Sequence, residues 1–330
     1  MAAPKYKRHV PKDGSRHRLI TYVAVSLFVL VDLVLIGWAL NSTRGAPAAP
    51  QAEELPVAIA PQLAPTETPT PEPTAAAPTF TLAEAVAPTR IITALNATTA
   101  WRARTGPCPA TAAEPEYTID GGVTWTTTDA TGPTGVTAIQ SITVEADGIA
   151  SMVALAGTDC APEFVKTYVA GDNYRAYDDQ LENNWYVNPD EPLTVVSPSG
   201  SVDSPCGAVV SLAPASQSAS AVLCSDQTVF MTDSGGANWI GPVSVPGAVG
   251  MSVSVAGYRL ASIGQADCAG IQMGLVLPGQ SGVEVSGCLV SESVTAVSLA
   301  DVGLSEAGGS VWLWTQDQVS RSADGGVTWE

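Results

Sequence analysis

Thr118-Ile-Asp-Gly-Gly-Val-Thr-Trp125 is the stretch of sequence that decides the fold, because it occurs again as Ser322-Ala-Asp-Gly-Gly-Val-Thr-Trp329. A worn copy, Thr232-Asp-Ser-Gly-Gly-Ala-Asn-Trp239, lies between them. Similarity that recurs within one chain indicates a repeat architecture. The repeat therefore predicts that most of the chain folds as a series of similar units.

Outward from this string, residues 79–330 consist of short segments in which Val, Ile, Thr and Ser alternate, with Gly, Asp and Pro between them. This pattern is typical of β-strands. Alignment on the string gives units of four strands and about 45–60 residues, the period of a β-propeller blade. We expect an all-β propeller of about five four-stranded blades, with four or six left open by a weak fourth unit.

Three assignments in this alignment decide the number of blades. Trp185-Tyr-Val is predicted to be the fourth strand of the second unit, and Val294–Leu299 the first strand of the fifth. The fifth unit contains no fourth strand of its own up to Glu330. We expect Pro78–Val86, a strand-like segment, to supply that strand, since closure of the ring would leave no edge unpaired.

The repeated string is similar to the Asp-box, or BNR repeat, of sialidases, sortilin-type receptors and photosystem II assembly-factor-like propellers. The similarity weakens in the worn copy, where Ser234 holds the Asp position, and at 178–185, where only Trp185 survives. The positions that match carry structural roles in the turn: Thr118, Asp120, Gly122, Trp125, Thr232, Gly236, Trp239, Ser322, Asp324, Gly326 and Trp329.

The chemistry of the string supports a structural role. The carboxylates of Asp120 and Asp324 can accept hydrogen bonds from N–H groups of a tight turn. The paired glycines allow positive φ, and Trp125 and Trp329 cover the hairpin with a large apolar face. We therefore predict that these acids hold turns and that any functional surface lies in segments that do not repeat.

The first 78 residues differ from the rest in composition. Residues 1–18 form a basic arm, and residues 19–40 form an apolar run about 30 Å long as a helix, enough to cross a bilayer. Residues 41–78, rich in Pro, Ala and Thr, are predicted to be a disordered stalk. The basic arm predicts an N-terminus in the cytoplasm and an extracytoplasmic domain at 79–330. A cleaved signal peptide is the alternative, although the run is longer than usual for one.

All six cysteines follow the apolar run, and an even number in an exported region fits three disulfides. The positions relative to the predicted strands favour Cys206–Cys224 within the third unit. Cys108 and Cys160 both follow the second strand of adjacent units, so they are predicted to link the first two blades. Cys268–Cys288 then remains within the fourth unit.

The charge of the chain restricts its partners. The whole chain carries a formal net charge of −18, and residues 79–330 hold 7 Lys and Arg against 26 Asp and Glu. This balance argues against nucleic acid and against anionic lipid surfaces. The two histidines, His9 and His17, lie in the basic arm, and no Cys-x-x-Cys occurs. We expect no cofactor and no metal.

Catalytic motifs are weak. The resemblance to sialidases implies three arginines that bind the substrate carboxylate and a Tyr nucleophile with a Glu partner. Thr89-Arg-Ile-Ile matches that family's Arg-Ile-Pro only weakly. Residues 79–330 contain no histidine, which excludes a Ser-His-Asp triad there, and no Gly-x-Ser-x-Gly elbow. An aromatic and acidic cluster in the second unit, Tyr174, Tyr177, Asp178 and Trp185, gives the candidate ligand-binding residues.

The sequence therefore predicts a single-pass membrane protein, and its Ala-rich, Lys-poor composition is associated with bacteria. Its propeller is expected to bind a protein or glycan of the cell envelope without catalysis. An extracytoplasmic glycoside hydrolase of sialidase type is the first alternative. An assembly or stability factor for a membrane complex is the second, and it rests on resemblance of fold.

Overall fold

A computed structural model describes residues 87–290 and 301–330 of the chain. Within these residues, six antiparallel sheets follow one another along the chain. Four of the sheets have four strands and two have three. The protein is thus an all-β propeller of six blades, and the predicted number of about five was wrong.

The first two sheets have the strand order of the sequence, from the inner strand outward. A single helical turn, α1, at Thr131–Thr134 joins them. The first sheet contains β1 Arg90–Ala94, β2 Ala100–Arg104, β3 Glu116–Thr118 and β4 Thr126–Thr127. The second contains β5 Val136–Ala146, β6 Ile149–Ala156, β7 Ala161–Thr167 and β8 Arg175–Ala176.

The third sheet has three strands and follows a 3-10 helix at Asp178–Asn183, and the fourth sheet has four strands. The third contains β9 Tyr186–Val187, β10 Thr194–Ser197 and β11 Gly200–Asp203. The fourth contains β12 Val209–Pro214, β13 Ser220–Cys224, β14 Thr228–Thr232 and β15 Ile240–Ser244.

The fifth sheet has four strands and the sixth has three. The fifth contains β16 Ala248–Val253, β17 Tyr258–Ser262, β18 Gly270–Val276 and β19 Val283–Val290. The sixth contains β20 Val302–Ala307, β21 Ser310–Thr315 and β22 Gln318–Ser322. Beyond β22, Arg321 and Glu330 exchange two backbone hydrogen bonds of 2.9 Å, in the place where β3 pairs with β4 in the first sheet.

The blade missing from the sequence alignment is the third sheet. Trp185-Tyr-Val does not close the second sheet, whose fourth strand is β8, but leads into β9 of the third. The strands β10 and β11 are short and rich in Ser, Gly and Asp, and no box string joins them to a further strand. These strands therefore gave no repeat signal. Val294–Leu299 lies outside the described residues, and β20 is the inner strand of the sixth sheet.

Burial follows the position of each strand in its sheet. The second strands are buried on both faces, as in β13, because each sheet packs against the sheet before it and the sheet after it. The fourth strands are exposed, as in β4. Apolar clusters fill the spaces between neighbouring sheets, and one of them joins Ile92 of β1 to Trp312 and Trp314 of β21. The contact between β1 and β20 brings the first and sixth sheets together and completes the ring.

Three disulfide bonds join the cysteines in the pairs that the sequence predicted. Cys108–Cys160 connects the first sheet to the second, Cys206–Cys224 lies at the start of the fourth sheet, and Cys268–Cys288 lies within the fifth. The disulfide prediction is confirmed. Each bond removes freedom from the unfolded chain and contributes about 2–4 kcal/mol.

The predicted basic arm, apolar run, stalk and closing strand Pro78–Val86 lie outside the described residues. Among the residues that are described, no helix combines the length and the apolar character that a membrane crossing needs. The predicted transmembrane helix is not among the helices of the described residues.

Candidate functional site

The string at 118–125 forms a turn between β3 and β4 that its own side chains hold closed. Thr118 Oγ1 accepts a hydrogen bond from Gly122 N at 3.0 Å and donates one to Asp120 Oδ1 at 2.8 Å. Asp120 also accepts from Thr124 N at 2.9 Å and from Thr124 Oγ1 at 2.6 Å. Trp125 Nε1 donates to Gly122 O at 3.0 Å. The motif residues thus hold this turn closed by hydrogen bonds among themselves.

The string at 322–329 repeats this geometry. Ser322 Oγ accepts from Gly326 N at 2.8 Å and donates to Asp324 Oδ1 at 2.7 Å. Asp324 accepts from Thr328 N at 2.8 Å and from Thr328 Oγ1 at 2.6 Å. Trp329 Nε1 donates to Gly326 O at 2.9 Å. Two strings about 200 residues apart therefore fold alike because the same side chains satisfy the same backbone groups.

The hydrogen bonds lower the pKa of both turn acids. The Thr124 hydroxyl, followed by the Thr124 N–H and the Thr118 hydroxyl, lowers the pKa of Asp120 to about 2. The Thr328 hydroxyl has the same effect on Asp324, whose pKa is also lowered to about 2. An acid with so low a pKa stays ionised at neutral pH. Its lone pairs are occupied by the turn, which is a structural use of the carboxylate.

The worn copy at 232–239 keeps part of this network. Thr232 Oγ1 still accepts from Gly236 N at 3.1 Å, and Ser234 Oγ accepts from Asn238 N at 3.1 Å in place of the Asp carboxylate. Trp239 Nε1 is buried and has no hydrogen-bond partner among the described residues. The turn survives the loss of its acid, with fewer bonds.

A fourth turn of this kind, which the sequence did not reveal, lies at 167–174 between β7 and β8. Thr167 Oγ1 accepts from Gly171 N at 3.0 Å, and Ala170 and Gly171 have φ of +52° and +86°. Tyr174 holds the position of the tryptophan and shares a hydrogen bond of 2.6 Å with Thr128 Oγ1. The string here, Thr-Tyr-Val-Ala-Gly-Asp-Asn-Tyr, retains only the first Thr and the second Gly. We call residues 118–125, 167–174, 232–239 and 322–329 the box turns.

Each box turn packs on the sheet that precedes its own in the ring. The turn of the first sheet rests on the sixth, and the turns of the second, fourth and sixth rest on the first, third and fifth. The contacts are Trp312 beneath Gly122, Thr128 with Tyr174, Ser197 with Gly235, and Ser286 with Gly325. The box turns therefore join neighbouring blades.

The structure divides the four candidate ligand-binding residues into two pairs. Tyr174 is 2% exposed and belongs to a box turn, and Trp185 is 5% exposed with its Nε1 bonded to Ser216 O at 2.9 Å. Both are packing residues. Tyr177 is half-buried and makes an edge-to-face contact with the exposed ring of Tyr168 at 6.5 Å between centroids. Asp178 is exposed and lines a cleft.

The cleft lies between the 3-10 helix and the β10–β11 hairpin and has a volume of about 510 Å³. We call it the hairpin cleft. Its helix wall contributes two carboxylates and an aliphatic side chain, β9 contributes the phenol of Tyr186, and its hairpin wall contributes Ser hydroxyls and backbone. The lining residues are Asp178, Leu181, Glu182, Tyr186 and Val196 to Ser201.

The surroundings of the hairpin cleft are acidic. No Lys or Arg is among its lining residues. The Tyr186 phenol is protonated at neutral pH, and burial raises its pKa further above the ordinary value of 10.0. Burial, followed by the charge of Asp178, raises the pKa of Glu163 on β7. The cleft is therefore suited to cationic or neutral polar groups.

Sequence reasoning found Asp178 but missed the wall opposite it. Ser199 and Ser201 belong to the hairpin of the blade that was not counted. Ser197 pairs with Gly200, so Pro198 and Ser199 form a two-residue hairpin loop. This loop lacks the Asn-Gly, Asp-Gly or Gly-X pair that marks such hairpins in a sequence, and the second wall of the hairpin cleft could not be recognised.

Comparison with known proteins gives only remote matches. No model of a protein family matches the chain, and no curated protein matches it. Solved structures that match include YCF48 from Cyanidioschyzon merolae, at 14% identity over 76% of this chain and 85% of that one, with a TM-score of 0.30. PorZ, an essential surface component of the type-IX secretion system of Porphyromonas gingivalis, matches at 10% identity over 75% and 38%, with a TM-score of 0.38.

A GH74 xyloglucanase from Xanthomonas campestris matches at 13% identity over 73% of this chain and 37% of that one, with a TM-score of 0.28. The matched proteins thus include an enzyme as well as a secretion-system component. At this level of identity and superposition the likeness carries no argument about fold or function.

Proposed function

We propose that this protein is a non-catalytic binding module whose ligand, a protein or glycan of the cell envelope, occupies the hairpin cleft. The observation that supports the proposal is the cleft itself. Its two walls offer carboxylates, a protonated phenol, Ser hydroxyls and a small apolar patch around Leu181. A concave site with a few convergent polar groups is the usual form of a binding site.

The place of the hairpin cleft in the ring supports the same proposal. Its walls come from the 3-10 helix and from the β10–β11 hairpin of the third sheet, which has no box turn and, among the described residues, no fourth strand. The repeated parts are occupied with joining blades. Function on a scaffold is usually carried by such non-repeating segments.

The proposed location is the extracytoplasmic side of the cell membrane, with the N-terminus in the cytoplasm. Three disulfide bonds support it, because disulfides persist in oxidising compartments. The basic arm and the apolar run of the sequence support it as well.

Proximity labelling in the native cell tests the proposal. The full-length protein is fused to a labelling enzyme and compared with the variant D178N/E182Q. The double variant E114Q/D267N, which removes the same charge at two exposed carboxylates outside the cleft, is the control. We expect D178N/E182Q to lose specific labelled partners that the control keeps. Identical partners in all three proteins would contradict a ligand site in the cleft, and enrichment of one membrane complex would identify an assembly role.

One observation favours the glycoside-acting alternative. Glu163, whose pKa burial and the charge of Asp178 raise, lies near Asp178, since Tyr177 N donates to Phe164 O at 2.8 Å and joins the two segments. A pair of carboxyl groups is the usual machinery of glycoside hydrolysis. Release of reducing sugar from envelope glycans that is abolished in E163Q would establish this alternative, and no release by the wild type would remove it.

A further inference from the structure

The third sheet has an open outer edge. In the first, second, fourth and fifth sheets a fourth strand covers the third. After β11 the chain instead runs through residues 204–208 directly into β12 of the next blade, and Cys206 is tied to Cys224 there. No described residue, in 87–290 or 301–330, pairs with the outer side of β11.

The register of β10 and β11 shows which backbone groups the edge presents. Val202 lies opposite Val195, and Ser204 N donates to Leu193 O at 2.7 Å. Hydrogen-bonded pairs alternate along an antiparallel ladder. The N–H and C=O groups of Ser201 and Asp203 therefore point away from β10. They form two free donor and acceptor pairs on an exposed strand.

The open edge is continuous with the hairpin cleft. Gly200 and Ser201 belong to β11 and also line the cleft. Asp178 and Glu182 stand on the opposite wall, and Asp203 is exposed on the strand itself. A segment paired with β11 would have its side chains beside these carboxylates.

The acidic side chains near β11 indicate which kind of strand can pair with the open edge. Unpaired edges attract other strands, and acidic groups on an edge repel strands of like charge. A second copy of this chain, with a net charge of −18, is disfavoured for that reason. A strand that carries Lys or Arg at alternate positions has its basic side chains on one face, where they can meet the carboxylates of the cleft.

We propose that an extended basic peptide of a partner protein adds to β11 as the fourth strand of the third sheet, with its basic side chains in the hairpin cleft. The peptide takes the place that β4, β8, β15 and β19 take in the other four-stranded sheets. Backbone pairing supplies binding energy and the cleft supplies selection, as in other cases of strand addition. This inference rests on the proposed function, since it names the ligand class of the same cleft.

Fluorescence anisotropy with the full-length protein in detergent solution tests the proposal. The probe is a blocked octapeptide in which Val and Lys alternate, and the matched control peptide replaces each Lys by Glu. We expect binding of the Lys probe, and binding at least about tenfold weaker for the Glu peptide. D178N/E182Q should weaken the Lys probe by about threefold to tenfold, since each exposed ion pair contributes little alone.

Two N-methylated probes test the backbone pairing. One carries N-methyl groups on the Lys amides and the other on the Val amides. Because alternate amides of a strand point to opposite edges, one probe should lose about tenfold or more in affinity and the other should keep it. Ser201→Pro, which removes an outward N–H without touching the bonds between β10 and β11, should weaken binding similarly.

The outcomes separate this inference from the proposed function. Equal binding of both N-methylated probes would overturn strand addition. It would also be overturned if the Lys probe failed to bind although D178N/E182Q had lost its labelled partners in the cell. In either case the cleft remains a ligand site of another kind. If Ser201→Pro lowers the melting temperature, the N-methylated probes still decide the question with the unaltered protein.

Discussion

The first and third sheets of the ring end differently at their outer sides. The first continues from β3 through a box turn into β4, and the turn rests on Trp312 of the sixth sheet. The third stops at β11, with no turn and no fourth strand. In this molecule a box turn therefore does two things, since it begins a fourth strand and joins its blade to the preceding one. The fifth sheet forms its fourth strand without a box turn, whereas the third sheet has neither among the described residues, and β11 is left as an open edge.

The largest expected difference between the two regions concerns the residue beneath the box turn. Trp312 is 0% exposed, and its Nε1 donates to Asn96 O at 3.1 Å. We expect Trp312→Ala to lower the free energy of unfolding by about 3–5 kcal/mol. Val195→Ala, at an equally buried position of the third sheet, should cost about 2 kcal/mol. Urea unfolding followed by far-UV circular dichroism measures both, and equal costs would contradict a special role for box-turn contacts.

The sequence allowed much of the fold to be predicted, and the reason is local. Asp120 and Asp324 bond to neighbours within four residues, so the string itself carries the information for its turn. Cys206 and Cys224 could be paired because the ends of adjacent strands are neighbours. The all-β class and the disulfide Cys206–Cys224 follow from such short-range rules.

What could not be predicted depends on contacts between distant residues. Tyr174 looked like a ligand-binding aromatic, but its burial comes from Thr128 of the preceding blade. The box turn at 167–174 lacks the acid, and it also lacks the Thr and the Trp at its end. It forms with positive φ at Ala170 and Gly171, which the string does not reveal. Only one wall of the hairpin cleft could be predicted, because the charge of Asp178 is visible in the sequence and the Ser-rich wall has no comparable feature.

The box turns and the third sheet also differ at glycines with positive φ. Gly171 lies in a box turn at φ +86°, where a Cβ would lie 2.4 Å from Thr128 Cγ2 of the neighbouring blade. Gly200 of β11 has φ +118°, with open space at the same position. Both Gly→Ala changes incur backbone strain of about 1–2 kcal/mol. Only Gly171→Ala also meets another blade, and we expect it to lose about 1 kcal/mol more.

Thermal unfolding of the two glycine variants provides the measurement. The melting temperature of G171A should fall further than that of G200A, and binding of the Lys probe should change more in G200A, which lines the cleft. The opposite order of melting temperatures would show that the box turn at 167–174 does not join the first two blades.

Acid should act on the box turns. The pKa of Asp120 and of Asp324 falls on folding from 3.8 to about 2. A group whose pKa is lower in the folded state stabilises it above the unfolded pKa, and this contribution is lost as pH falls through the folded pKa. Stability from these two acids should therefore be complete above about pH 4 and decline between about pH 4 and pH 2.

The variant D120N/D324N isolates this effect. Its stability relative to the wild type should be lowest near neutral pH, and the difference should shrink as pH falls from about 4 to about 2. The control E114Q/D267N, with two exposed carboxylates outside the box turns, should follow the wild type throughout. Guanidinium unfolding at a series of pH values measures the difference, and a constant gap between D120N/D324N and the wild type would show that the hydrogen bonds do not need the charge.

The smallest expected effect restores the worn box turn at 232–239, which rests on the third sheet. S234D/N238T gives it the Asp and Thr of the intact turns, so that two further side-chain bonds can form like those of Asp120 with Thr124. Such bonds contribute about 0.5–1.5 kcal/mol each, less the cost of ordering. We expect a gain of about 1 kcal/mol in unfolding free energy, with S234D alone giving less because Asn238 provides no hydroxyl. Since Ser197 already holds Gly235 at 2.8 Å, a firmer turn should also steady the hairpin wall of the cleft. A variant that is more stable and yet binds the Lys probe unchanged would show that the open edge is held by its own ladder alone.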